Sequence, residues 1–156
     1  MGYGRQVLGT VGSGVELSVD GKPLAKTGGI TLDWSAFAAV SGSDVTLPDG
    51  VVVKVGEKYA KTGQVVCKIT SSGKYGPFDP AATSTGRESL VQGSCFMLNR
   101  PAFANEPADE HPEAVYGGKL WLDRVVQVGT GTASLAAGPT LSALRTAFPQ
   151  AQFETL

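Results

Sequence analysis

The chain has 156 residues, of which 42% are hydrophobic and 17% are charged, and its formal net charge at pH 7 is −1. A chain of this length and apolar content can bury one core, so the composition favours a single folded domain and excludes global disorder. The balanced charge predicts no nucleic-acid partner, and the sequence contains no run of about 18 apolar residues that would predict a membrane-spanning helix. Glycine, with 21 residues, occurs at about twice its average frequency and predicts many turns and short strands.

The first residues and the number of cysteines indicate the cellular compartment in which the protein is made. Met1–Arg5 begins no apolar stretch, so we expect no secretory signal. Cys67 and Cys95 both lie inside apolar runs, whereas a secreted disulfide scaffold would need more cysteines. We therefore expect reduced, buried thiols in a protein that is made in a cytoplasm.

The N-terminal region is rich in glycine, with five glycines in the first fourteen residues. Such a segment loses much conformational entropy on ordering and has few side chains to pack. We therefore expect an arm that becomes ordered only against a partner or against the chain's own sheet. Val15–Val19 alternates apolar and polar residues, which predicts a half-buried strand, and Asp20-Gly21 predicts a hairpin turn after it. The sequence thus predicts an arm and hairpin over residues 1–33 and a β-rich domain over residues 34–156.

The middle of the chain alternates β-branched runs with turn residues. Pro48-Asp49-Gly50 predicts a turn between two strands, and the run Val51–Val55 predicts the second of them. Two further apolar runs predict buried strands, and the later run contains a glycine that is typical of a bulge. These runs are Gln64–Thr70 and Ser89–Leu98, with the bulge expected at Gly93.

The C-terminal third predicts a long loop, a strand, a helix and a last short strand. Asn99–Gly118 contains three prolines and several acidic residues, which predicts a loop of about 20 residues, a length often associated with function. Lys119–Val128 is the longest predicted strand. Pro139 suits the first turn of an amphipathic helix, and Gln150–Phe153 predicts a final strand. The apolar face of that helix consists of Leu141, Leu144 and Phe148.

The fold class that these elements predict is mainly β, or β-rich α+β. We expect a small, twisted domain resembling a β-barrel or β-sandwich, with one short C-terminal helix and an extended N-terminal arm. No sequence period of about 20–50 residues recurs, which excludes a solenoid.

Few residues in the sequence carry catalytic or metal-binding chemistry. His111 is the only histidine, and it lies with Asp109 and Glu113 in a proline-rich loop without the spacing that zinc or calcium sites require. No Gly-x-Ser-x-Gly elbow surrounds a serine, and the glycine-rich run Val126–Thr132 lacks the helix that a phosphate loop needs directly after it. We therefore expect a protein that is not an enzyme and that binds no cofactor and no metal.

One stretch in the middle of the chain resembles a known protein family. Gly63–Ala82 reads GQVVCKITSSGKYGPFDPAA, follows the turn at Leu47–Gly50 and precedes the apolar run Ser89–Leu98. This order resembles the head decoration proteins, or capsid cement proteins, of tailed bacteriophages of the lambda type. Those proteins show a G-x-V-L-x-K-I-T-x-x-G-K-Y-x-P-Y-D-P stretch before a glycine-marked turn and an apolar strand. Phe78 stands where that pattern has its second tyrosine, and Leu141–Phe153 resembles the short helix and terminal strand of many such proteins.

The resemblance implies a structural protein of the virion. Decoration proteins of this family bind the outer surface of the expanded head and stabilise it by bridging subunits of the major capsid protein, commonly as trimers at three-fold positions. The resemblance therefore implies the major capsid protein and further copies of the same chain as partners, with no nucleic acid and no membrane. It places the protein on the outer surface of the capsid after synthesis in the host cytoplasm.

Two sets of residues are candidates for these contacts. Tyr3–Val19 is the expected capsid-binding arm, since a glycine-rich segment followed by an alternating strand can add a strand to an exposed sheet edge. An aromatic pair that flanks a Gly-Pro turn is a candidate oligomer interface, because aromatic residues are enriched in interface cores, and core packing explains this pair equally well. The arm residues are Tyr3, Arg5, Val7, Leu8, Val11, Val15 and Leu17, and the interface residues are Lys74, Tyr75, Pro77 and Phe78.

Two other non-enzymatic functions stay open from the sequence: a spike or fibre subunit of a virion, and a carbohydrate-binding domain. Sugar binding requires exposed aromatic residues on a flat face. Trp34 and Trp121 are the only tryptophans, and both lie in alternating runs where we expect burial.

Overall fold

The computed structural model describes residues 16–47, 50–104, 110, 111, 113–121, 125 and 141–154. Within these ranges the chain is mainly β, with twelve short strands, one α-helix and one 3-10 turn at Trp34–Ala36. In chain order the elements are β1 Leu24–Ala25, β2 Ile30–Thr31, β3 Val45–Thr46, β4 Val52–Val53, β5 Tyr59–Ala60, β6 Val65–Lys68, β7 Tyr75–Pro77, β8 Cys95–Leu98, β9 Ala102–Phe103, β10 Glu110–His111, β11 Ala114–Trp121, α1 Leu141–Ala147 and β12 Gln150–Glu154.

The largest sheet has six strands in the order β12-β11-β8-β6-β7, and β1 pairs with β11 beside this path. Its strand pairs are antiparallel except β11 with β12, which run parallel with Gly117 opposite Gln150. A parallel pair cannot be joined by a tight turn and needs a crossover connection. Helix α1 lies in the connection between β11 and β12, where that crossover is required.

Both faces of the six-stranded sheet are buried. Successive side chains of a strand point to opposite faces, so each strand divides its residues between two cores. In β6, Val65 and Cys67 belong to one hydrophobic cluster and Val66 belongs to the other. This division explains why the inner strands are apolar in a continuous run rather than in alternation. Strand β8 is divided in the same way, with Cys95 and Met97 on the first face and Phe96 and Leu98 on the second.

Different parts of the chain cover the two faces. One face, here called the α1 face, packs against the C-terminal helix, and the other, the N-terminal face, packs against the segment around β2 and the 3-10 turn. Full burial of a large apolar side chain contributes roughly 1.5–3 kcal/mol. The covering residues are Leu144, Ala147 and Phe148 on the α1 face and Ile30, Leu32 and Phe37 on the N-terminal face.

Three small antiparallel pairs complete the described part of the fold. Strand β3 pairs with β4, strand β5 with β9, and strand β2 with β10. The first of these pairs is a hairpin that begins at Val45 and ends at Val53. The other two connect segments that are distant in the sequence.

The structure confirms the expected fold class. The described chain is mainly β with one short C-terminal helix, and its sheets do not close into a barrel within the described ranges. The hairpin around residue 50, the helix at Leu141–Ala147 and the final strand Gln150–Glu154 all lie where the sequence predicts them. None of the described helices has the length and apolarity that a membrane crossing would require.

Several predicted strands have the wrong bounds. Val51–Val55 forms a strand only at Val52–Val53, and Gln64–Thr70 only at Val65–Lys68. The run Ser89–Leu98 forms a strand only from Cys95, because a turn closed by the Ser94 N–H donating to the Val91 carbonyl precedes it. The longest strand among the described residues is β11, which begins at Ala114 inside the predicted 99–118 loop rather than at Lys119. Pairing with β8 and β1 extends β11 toward the N-terminus.

The N-terminal hairpin expected within residues 1–33 is also wrong in its described part. The sequence predicts a strand at Val15–Val19, of which the structure describes residues 16–19, and a hairpin turn after it at Asp20-Gly21. Instead, Ser18 forms an isolated bridge with Leu120, and β1 after the turn also pairs with β11. Leu17 is buried in the cluster of the α1 face, so the packing does not break at residue 33.

Candidate functional site

The segment Glu16–Val19 is attached to the sheet by backbone hydrogen bonds. The Leu17 N–H donates to the Asn99 carbonyl at 3.0 Å, and the Trp121 N–H donates to the Leu17 carbonyl at 2.9 Å. The Val19 N–H donates to the Lys119 carbonyl at 2.9 Å. These bonds hold the segment along the second half of β11 and next to the end of β8.

The Asn99 side chain completes this attachment. Its Oδ1 accepts a hydrogen bond from the Ser18 N–H at 2.9 Å, and its Nδ2 donates to Glu113 Oε1 at 2.9 Å. Asn99 is 2% exposed and Ser18 is 5% exposed. A buried amide that satisfies a buried N–H in this way fixes the position of both backbones.

Arg100 adds an ionic contact at the same place. Its guanidinium pairs with the carboxylates of Glu16 and Glu113, and its Nε lies 3.0 Å from Glu113 Oε2. The Arg100 side chain is 42% exposed, and exposed ion pairs contribute little to stability. The planar guanidinium instead orients the two carboxylates. We call Glu16–Val19 together with Asn99, Arg100 and Glu113 the anchor.

The structure describes only part of the expected capsid-binding arm. Leu17 has no exposed surface and packs in the core of the α1 face, so its side chain is not available to a capsid and that assignment is corrected. The other arm residues lie outside the described residues; they are Tyr3, Arg5, Val7, Leu8, Val11 and Val15.

The candidate oligomer interface around β7 belongs largely to the core of the chain. Tyr75 is 7% exposed, and its ring packs edge-to-face on Phe96 with centroids 5.7 Å apart. Burial raises the pKa of the Tyr75 hydroxyl. Phe78 is 6% exposed and belongs to the α1-face cluster, Pro77 is also buried, and only Lys74 is exposed. The burial of these side chains corrects the interface assignment in favour of core packing.

A surface feature that the sequence analysis missed lies on the β3–β4 hairpin and the turn after it. Val51, Val52 and Val55 are 41–52% exposed, and we call them the valine patch. The patch is held in place because the Val55 N–H donates to Asp44 Oδ1 at 2.9 Å. The β-branched run predicted a strand, but only Val53 points inward, with 2% exposure. The other three valines leave apolar atoms exposed to solvent.

The two tryptophans are half-buried rather than fully buried. Trp34 lies in the 3-10 turn and its ring packs on Phe37, with centroids 4.7 Å apart. Trp121 ends β11 beside the anchor. No group of three or more histidine, cysteine or acidic residues with metal-binding geometry occurs among the described residues.

Among the described residues, the anchor fixes the start of the N-terminal segment, and the valine patch exposes apolar side chains. Comparison of the chain with protein-family models, with curated proteins and with solved structures gives no match. Its function is therefore inferred from its residues and their geometry.

Proposed function

We propose that this chain is a bacteriophage head decoration protein that binds the outer surface of the expanded capsid and stabilises it by bridging subunits of the major capsid protein. The resemblance of Gly63–Ala82 to such proteins supports this proposal. In the structure this stretch supplies β6 and β7, two neighbouring strands of the main sheet. The segment Leu141–Phe153, which also resembles the family, supplies α1 and most of β12.

The observation that carries the proposal is the anchor. Glu16–Val19 is fixed to Asn99 and β11, and fifteen residues precede it in the sequence. A fully extended segment of that length reaches at most about 50 Å. A glycine-rich segment that starts from a rigid point can therefore add a strand to the sheet edge of a neighbouring capsid subunit.

The energetics of such binding favour a repeating surface. Fixing the backbone of an arm on binding costs about 1–2 kcal/mol per residue in entropy, so one arm on one subunit is expected to bind weakly. Three copies of the chain around a three-fold position of the capsid bind together, and each bound copy raises the effective concentration of the next. The valine patch adds apolar area, at about 25 cal/mol per Å² buried.

Co-sedimentation with capsids tests this function. Expanded, undecorated heads are assembled from the major capsid protein encoded in the same genome and are mixed with the full chain or with a chain that lacks residues 1–14. The shortened chain keeps Glu16–Val19 and the anchor, so we expect it to fold, which circular dichroism checks. We expect the full chain to sediment with the heads at a saturating ratio and the shortened chain to stay in the supernatant.

The control for this experiment is Thr83→Ala, a change at an exposed residue away from the anchor, which is expected to bind like the wild type. Full decoration by the shortened chain would reject the arm as the contact. Failure of the full chain to sediment with the heads would reject the proposed function.

A further inference from the structure

Cys67 of β6 and Cys95 of β8 are direct partners in the sheet register. The Lys68 N–H donates to the Ser94 carbonyl at 2.9 Å, and the Leu98 N–H donates to the Gln64 carbonyl at 3.1 Å. Because hydrogen-bonded and non-hydrogen-bonded pairs alternate along an antiparallel ladder, Cys67 and Cys95 form a non-hydrogen-bonded pair. Such pairs have Cα atoms about 4.5 Å apart, which lies within the range of disulfide-bonded cysteines.

The two thiols lie on the same side of the sheet and share one environment. Both belong to the cluster of the α1 face, with 0% exposure for Cys67 and 1% for Cys95. Their sulfur atoms approach the same acceptor, the Ser89 carbonyl oxygen, at 3.8 Å from Cys67 and 3.6 Å from Cys95. Both cysteines are free thiols in this structure.

The contacts of the two sulfur atoms differ, and the difference assigns a role to each. A hydrogen bond from Cys67 lowers the pKa of the Cys95 thiol, and the Val91 N–H, which donates to Cys95 Sγ at 3.4 Å, lowers it further. The same hydrogen bond to Cys95, together with burial, raises the pKa of the Cys67 thiol. The Val91 N–H contact favours a thiolate at Cys95, and Cys95 rather than Cys67 is among the residues that line the neighbouring cavity, so Cys95 is the sulfur that reacts first.

Cys95 borders a cavity that is large enough for a small reagent. A cavity of about 350 Å³ is lined by Gln92, Gly93, Cys95, Tyr116 and Pro149, among others. Oxidised glutathione is too bulky to bring its disulfide to the buried Cys95 sulfur, whereas hydrogen peroxide, which is close to water in size, fits into the cavity that Cys95 helps to line. A peroxide can therefore reach the two thiols more easily than a large oxidant can.

We propose that Cys67 and Cys95 are an oxidative modification site, at which hydrogen peroxide converts the two thiols into an intramolecular disulfide that joins β6 to β8. The Cys95 thiolate attacks one oxygen of the peroxide, the O–O bond breaks, and the departing hydroxide takes up a proton to leave as water. The Cys67 sulfur then attacks the sulfur of the Cys95 sulfenic acid, the S–O bond breaks, and the hydroxyl leaves as water with the Cys67 proton. Two thiols lose two electrons and two protons in total, and one peroxide gives two molecules of water.

The cross-link has a mechanical consequence for the sheet. It joins two central strands covalently and restricts the unfolded chain, which raises stability. The site concerns the chain alone and does not depend on capsid binding. We expect the oxidised protein to melt at a higher temperature than the reduced protein.

Intact-mass measurement of the wild-type full chain tests the site. The reduced protein is treated with hydrogen peroxide, catalase stops the reaction, and the chain is unfolded and exposed to N-ethylmaleimide. We expect a monomer that is lighter by two hydrogen atoms and takes up no label, and that regains two labels after dithiothreitol. Uptake of two labels after peroxide, a gain of oxygen atoms without a disulfide, or a covalent dimer would each overturn the proposal.

Single cysteine variants separate the two roles. Cys67→Ser is expected to stop at a Cys95 sulfenic acid, which dimedone traps as an adduct, whereas Cys95→Ser is expected to react with neither peroxide nor dimedone on the same timescale. Equal reaction of the two variants would contradict the assigned roles. If either variant fails to fold, the wild-type mass measurement still decides whether the disulfide forms.

Discussion

The side chain of Gln64 is completely buried just before β6, and within the described part of the chain neither its amide nitrogen nor its amide oxygen has a hydrogen-bond partner. A buried amide in this state costs about 1–3 kcal/mol of desolvation. Methionine has a similar length and no such group. We therefore expect Gln64→Met to raise the free energy of unfolding by about 1 kcal/mol.

Urea unfolding followed by tryptophan fluorescence measures this change. The control is Gln64→Glu, which has the same shape but buries a carboxyl group, and it is expected to lower the free energy of unfolding. A methionine variant less stable than the wild type would contradict the prediction, because it would mean that the amide forms a hydrogen bond in solution.

Glu88 makes stability depend on pH through a local turn. Its own backbone N–H, the Thr85 hydroxyl and the Gly86 N–H hydrogen-bond to its carboxylate and lower its pKa. A lowered pKa in the folded state means that the stabilisation is present above the unfolded pKa, near about 4.3. It is lost as the pH falls through the folded value.

The variant Glu88→Gln isolates this effect, because the amide oxygen can still accept hydrogen bonds but does not titrate. We expect the wild type to be the more stable of the two at about pH 6 and the difference to shrink on acidification to about pH 3. Thermal melts of both proteins across this range measure the difference. A gap that stays constant with pH would show that the folded pKa of Glu88 is not lowered.

At the scale of elements, Gly86 lets the turn at residues 85–88 pack closely against the end of β6. Its φ is +92°, and a Cβ there would lie 2.6 Å from the Lys68 carbonyl oxygen and 2.7 Å from Thr70 Oγ1. Gly73 also has a positive φ, +74°, but a Cβ there would meet nothing within 4 Å. An alanine at Gly73 would therefore cost only the strain of a positive φ, whereas an alanine at Gly86 would cost that strain and a steric clash as well.

We expect Gly73→Ala to cost about 1–2 kcal/mol, the cost of the left-handed backbone alone. Gly86→Ala is expected to cost about 1–3 kcal/mol more, because the surrounding backbone must move. Free energies of unfolding of the two variants measure this difference. Equal losses for both variants would indicate that the 85–88 turn is not packed on β6 in solution.

The elements that the sequence predicts well are those with local signals. The β3–β4 hairpin, the helix at Leu141–Ala147 and the strand after Pro149 each follow from neighbouring residues in the sequence. The start of β11 has no local signal, because Ala114 joins the sheet through pairing with Leu98. The strand predicted at Ser89–Leu98 begins only at Cys95, because residues 91–94 form a turn. The sequence alone does not distinguish this turn from the start of the strand.

At the scale of the whole molecule, the anchor shows why the site is harder to predict than the fold. Ser18 and Asn99 are hydrogen-bonded although 81 positions separate them in the sequence. Nothing in the spacing of either residue predicts the other. The valine patch was missed for a different reason, since β-branched residues predict a strand but do not say which of its sides is exposed.

The central claim is that this chain acts by binding a repeating protein surface with its N-terminal segment. Electron cryo-microscopy of expanded heads mixed with the full chain tests it most directly. We expect density for three copies around each three-fold position, with a strand that continues from Glu16 along a sheet edge of a neighbouring capsid subunit. Heads that remain bare at a saturating concentration of the protein would contradict the claim.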